Sequence, residues 1–331
     1  MVNHGRRVSV IMAAAVVALV LTACSRSATV ELSSDWSHLI GYTNVSVDDR
    51  MLVVGIDPAA GEARALADVP TPPDGNPVES GPVSRNGAGQ TVVVQPTDSG
   101  AGVAYRVDRG SATATEVASL PGGGPLYPRR GGWADTASKQ GVTQVTLRDS
   151  AFAATGTFRI SAPSELGATD GGHLLCLAGR AGHRYVVTTI DLTTHGTVAS
   201  AHVSAKPDDV ACIDGHPLIA YARPGLAAPG VTRLASGASA AALRGEVVDA
   251  IVVDGHTAIA VVDSQETTAL ELIAPRSGKV TELATVPGIA VVDAFLSGRT
   301  LVLIGDGRAV TFDLRTHESR SFPLPGSRDA G

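Results

Sequence analysis

Four acidic residues stand at matching places in a repeating sequence. Glu165, Asp209 and Asp249 each lie five residues before Asp170, Asp214 and Asp254, and Asp293 lies four before Ser297. Val-Val-Asp249-Ala and Val-Val-Asp293-Ala are close copies. Acids that recur at one position of a closed repeat converge near its axis. There they would attract a cation, a polyamine-like group or a metal through oxygen ligands. The structural alternative is that each accepts N–H bonds within its own turn. His173, His216 and His256 also recur, but lack the tight spacing, cysteine partners and supporting groups of a zinc site. Arg129, Arg130 and Trp133, in an irregular insertion, could meet an anionic or sugar ligand or simply be loop. No nucleophile elbow, Ser-x-x-Lys, His-Glu-x-x-His, Walker loop or dinucleotide fingerprint occurs, so no catalytic residue and no cofactor is assigned, and a divalent cation at the acids stays open.

Three cysteines divide by position. Cys24 follows Arg6, Arg7, an apolar run from Val8 to Val20, and Leu21-Thr22-Ala23. The run is too short to span a bilayer comfortably and fits a signal-peptide core. Leu-Thr-Ala-Cys24 resembles the bacterial lipobox, which implies a diacylglyceryl group on Cys24, fatty-acyl anchoring, and the outer face of a bacterial cell membrane. Export through the general or the twin-arginine route stays open. Cys176 and Cys212 remain, and cysteines of an exported chain usually pair, so they form either a disulfide or two buried thiols.

The elements that position these residues read as strands. The 331 residues are 44% hydrophobic and 18% charged, enough for a sizeable core and too apolar for disorder. Net charge is −6, and −8 from Cys24 onward (24 cations against 32 acids), which leaves no footprint for nucleic acid. Beyond the leader no amphipathic helix stands out. Short β-rich runs recur instead, at Met51–Ile56, Thr91–Gln95, Val142–Leu147, Tyr185–Ile190, Pro217–Tyr221, Ala258–Val262, Leu301–Ile304 and Val310–Leu314.

A run ending near Asp repeats at Asp57, Asp108, Asp149, Asp191, Ser236, Pro275 and Asp313, at intervals of 51, 41, 42, 45, 39 and 38 residues. Four strands per unit of this length is the spacing of a β-propeller blade. With two tryptophans and no Gly-His…Trp-Asp repeat, the WD40 version is disfavoured. The pattern resembles the YncE/YVTN and quinoprotein-like propellers over roughly residues 37–325.

The expectation is therefore an all-β protein, a seven-bladed β-propeller with six or eight blades as alternatives. Its parts are a lipoprotein signal peptide (1–23), a lipidated tether (24–36), the propeller (37–325) and a disordered tail (326–331). Its partners are the membrane, through the N-terminal lipid, and an unidentified protein or small ligand. The leading functional reading is a binding scaffold. The alternative is a metal-dependent hydrolase or lactonase-like enzyme using an acidic channel mouth.

Overall fold

The computed structural model describes residues 30–47, 49–75, 82–203, 206–213, 216–222, 230–233, 239–243, 246–254, 257–263, 267–274, 279–287 and 289–327. Cys24, the signal segment, Asp214 and His256 lie outside them. Every named element is a strand, and among the described residues no helix is long and apolar enough to cross a membrane.

The strands group into seven sheets, six of four strands and one of three. The first holds β1 (Gly41–Val47), β2 (Arg50–Asp57) and β3 (Glu62–Val69). The second holds β4 (Val83–Arg85), β5 (Thr91–Pro96), β6 (Gly102–Val107) and β7 (Thr115–Leu120). The third holds β8 (Tyr127–Arg129), β9 (Gly132–Lys139), β10 (Val142–Asp149) and β11 (Ala154–Ile160). The fourth holds β12 (Leu166–Thr169), β13 (Leu174–Ala181), β14 (Arg184–Asp191) and β15 (Gly196–Val203). The fifth holds β16 (Asp209–Ile213), β17 (His216–Ala222), β18 (Gly230–Arg233) and β19 (Ser239–Leu243). The sixth holds β20 (Glu246–Asp254), β21 (Thr257–Asp263), β22 (Thr267–Ala274) and β23 (Lys279–Pro287). The seventh holds β24 (Val291–Ser297), β25 (Thr300–Gly305), β26 (Arg308–Asp313) and β27 (Ser319–Pro323).

Second strands are buried on both faces, so their apolar runs are continuous rather than alternating. In β2, Leu52, Val54 and Ile56 pack against Val302 and Ile304 of the seventh sheet, while Met51 and Val53 pack against Val93 and Tyr105 of the second. The gap between the fifth and sixth sheets is filled by Ala211, Ala220, Ala258 and Ala260. Between the second and third sheets Trp133 and Phe152 stack with centroids 5.6 Å apart. Aliphatic side chains with interspersed alanines, and one stacked ring pair, thus fill the gaps, which is how a core this poor in aromatics holds together.

Six complete blades stand where seven were expected, because the first sheet lacks a fourth strand. The free edge of β3 is covered by the turn that follows β6: the Asp68 N–H donates to the Ala112 carbonyl (3.0 Å) and the Ala114 N–H to the Asp68 carbonyl (2.8 Å). Such covering blunts an exposed edge. From the N-terminal side the Ser33 N–H donates to the Ala65 carbonyl at 2.7 Å. Trp36 is buried against β2, and Val30 and Leu32 pack on the cluster joining the first and seventh sheets. Residues 30–36, expected as tether, therefore lie against the ring.

The 51-residue interval reflects the phase of the marker and not the missing strand. Asp57 closes the second hairpin of its sheet, whereas Asp108, Asp149, Asp191 and Asp313 follow the third strand of theirs. The fifth sheet departs differently: its order is β16-β17-β19-β18, with β17 and β19 parallel, so its outer strands exchange places.

Candidate ligand site at the channel mouth

First strands line the axis. The Val-Val-Asp copies produce the same local device in two of them: β20 carries a bulge between Val247 and Asp249, and β24 one between Val291 and Asp293. A bulge adds a residue and re-aims the side chains beside it. Asp249 thereby faces both Asp209, at the start of β16, and Asp293.

Asp293 is the one provided with cationic and hydroxyl donors. Its Oδ2 accepts from Thr43 Oγ1 at 2.7 Å and from Arg85 Nη2 at 3.1 Å. Arg85 also donates to the Tyr42 carbonyl and lies 4.0 Å over the Phe295 ring. This network ties the seventh, first and second sheets at the axis. Sequence reasoning missed Arg85 because its strand β4 is only three residues long and spells no apolar run. Thr43 and Phe295 left no signal of their own.

Asp209 and Asp249 form a different kind of group. Asp209 Oδ1 accepts the Val210 N–H at 2.8 Å, while its Oδ2 is buried, and the carboxyl lies against the Asp249 carboxyl and the Ala250 N–H. Each residue keeps partial contact with solvent along the channel, yet protein surrounds it on most sides. Burial pushes Asp209 up to about 7, assisted by the Asp208 charge and opposed by the N–H groups of Val210 and Ala250 and by the Asp249 contact. Burial also raises Asp249 well above the usual carboxylate range, with the charges of Asp209 and Asp293 adding to it and Ala250 and Arg85 opposing. Two carboxyls in contact cannot both ionise cheaply, so the pair holds a proton near neutrality.

Stability should follow that proton. The native state binds it more tightly than the unfolded chain, so stability falls as pH rises from about 4 to about 7 and is level above. A shift of about three units corresponds to at most ~4 kcal/mol, reduced here by channel solvent. Asp209→Asn supplies an N–H donor to Asp249 and removes one charge. It is expected to raise the melting temperature at pH 8 and to flatten the pH dependence between 4 and 7. A variant less stable than the parent at pH 8 contradicts the shared proton.

Glu165 does not join this cluster. Its Oε1 accepts the Arg180 N–H at 3.2 Å, and it lines a cavity of about 270 Å³ beside Tyr185, Lys206 and Asp208. Among the described residues no group of three or more His, Cys, Asp or Glu is placed to hold a metal. His173 lies exposed in its turn and His216 exposed at the start of β17, and the Asp170 Oδ1 accepts the N–H groups of Gly172 and Leu174 within its own turn. Arg129 is spent on structure, donating to the carbonyls of Trp133 and Arg148.

A disulfide joins Cys176 in β13 to Cys212 in β16, with Cα atoms 5.6 Å apart. It staples the fourth sheet to the strand that presents Asp209.

No known protein family matches this chain, and no curated protein does. Solved structures do. A protein from Bacteroides uniformis assigned as a 6-phosphogluconolactonase is similar at 13% identity and a TM-score of 0.57, over 83% of this chain and 92% of its own. A second, from Bacteroides fragilis and assigned the same activity, is similar at 12% identity and 0.53, over 87% and 95%. The Pan2 WD40 domain of Neurospora crassa follows at 10% and 0.51, over 78% and 82%. The chain shares their fold. At these identities the likeness reaches no further, and it passes on neither substrate nor residue role.

Proposed function

We propose that this chain is a lipid-anchored binding protein on the outer face of a bacterial membrane, whose propeller receives a cationic group of a protein or small ligand at the channel mouth. One observation carries the binding part: Asp209, Asp249 and Asp293, from three consecutive sheets, converge while a single guanidinium serves Asp293. The remaining pair offers acceptor oxygens and a stored proton, a chemistry suited to holding a cation. Cys24 and the lipobox-like leader support the anchoring part, since several acyl chains together bind a membrane stably where one does not. The disulfide fits an oxidising compartment.

Anchoring is tested by expressing Cys24→Ala in a bacterial host. The parent is expected in the membrane fraction with a mass increased by the acyl groups, and the variant outside that fraction without the increase. Equal partition of the two would remove the anchor from this reading. Binding is tested by calorimetric titration with putrescine, which should bind the parent and not Asp249→Asn.

A further inference from the structure

The cavity beside the mouth has a composition that the channel does not share. It opens between the starts of β12, β16 and β20, and its volume of about 270 Å³ is slightly below the range that takes drug-sized ligands (about 300–1,000 Å³). Leu166, Ala178 and Val247 give it an apolar base, and Tyr185 contributes a wall. Glu165, Lys206 and Asp208 bring both signs of charge to its rim. Lys206 forms no ion pair among the described residues, although the Glu165 carboxylate lines the same cavity. Both signs of charge at the rim of a small space, over an apolar floor, complement a molecule that carries both charges and an apolar group.

We infer that this cavity binds a small free amino acid with an apolar side chain. Lys206 receives the carboxylate, Glu165 receives the ammonium group, and Leu166, Ala178 and Val247 take the side chain. Hydrogen bonds to charged groups contribute about 1.5–3 kcal/mol each, so either charge alone should bind at least roughly tenfold more weakly than both together. The site is distinct from the acidic channel, and neither assignment depends on the other.

The test is calorimetric titration of the full-length protein in detergent with L-leucine and its two half-analogues, isoamylamine and 4-methylpentanoate. L-leucine is expected to bind saturably and each half-analogue at least about tenfold more weakly. Lys206→Ala should weaken L-leucine by about tenfold or more and leave isoamylamine within roughly twofold, while Glu165→Gln should spare 4-methylpentanoate instead. Both side chains are exposed, so the substitutions leave the core intact. Absence of saturable binding at about 10 mM L-leucine overturns the proposal, and so does isoamylamine binding as tightly as L-leucine, which would mark a plain cation site. Putrescine binding to the channel, read separately with Asp249→Asn, can succeed or fail alone.

Discussion

Removing the Cys176–Cys212 bridge by substituting both residues with alanine is expected to lower unfolding stability by about 4 kcal/mol. The bridge closes a loop across a sequence separation of 36, and the loop entropy that it withholds from the unfolded chain sets this magnitude. The cost falls in a sensitive place. The fifth sheet is the irregular one, with its outer strands exchanged, and β16 is its channel strand. Cys212 sits three residues from Asp209 on β16, so loosening the staple should also weaken cation binding at the mouth. Denaturant unfolding of the double variant checks the first effect, and titration checks the second. A loss below about 1 kcal/mol would mean that packing of Ala178 and Val187 against Val210 and Ile219 holds the two sheets without the bridge.

Arg148→Ala should cost a similar amount, about 3–5 kcal/mol. Arg148 pairs with Asp135 at 2.7 Å, and their side chains are only 10% and 3% exposed. Its other nitrogens donate to the carbonyls of Phe152 (3.1 Å) and of Ser119 in the neighbouring sheet (3.0 Å). Truncation leaves a buried carboxylate and two carbonyls without this donor, beside the stacked Trp133 and Phe152. Burial already raises Asp135, with Arg148 opposing, so the variant should take up a proton there and lose less stability at acidic pH than at pH 8. Adding Asp135→Asn should recover part of the loss, because it removes the stranded charge. Urea unfolding at pH 5 and pH 8 reads all three effects. Equal losses at both pH values would show that the lost packing and carbonyl bonds, rather than the charge, set the cost.

The strands were legible in the sequence because second and third strands bury both faces and so spell unbroken apolar runs. Seven of the eight predicted runs fall wholly within strands, and the eighth, Val310–Leu314, passes the end of β26 by one residue. The phase of the first unit was not legible, and the reason is local chemistry. Asp57 Oδ1 accepts the N–H groups of Ala59 and Ala60, Asp191 those of Thr193 and Thr194, and Asp313 those of Arg315 and Thr316. The residue four after each Asp has positive φ: Gly61, His195 and His317. One turn thus serves two different hairpins, and nothing within it says which. The acids were legible as a repeated position, and the bulges explain why Asp249 and Asp293 turn to the axis. Their electrostatics were hidden, since Arg85 and Thr43 reach Asp293 from strands far away in sequence. Glu165 shares the repeat position yet lines the cavity instead of the channel.

The central claim is that a proton held between Asp209 and Asp249 competes with a cation for the channel mouth. Putrescine stays doubly charged between pH 6 and pH 8, so its own titration does not intrude. With a single competing proton lost near pH 7, its affinity should rise about tenfold across that range. An affinity that is unchanged with pH would contradict the account.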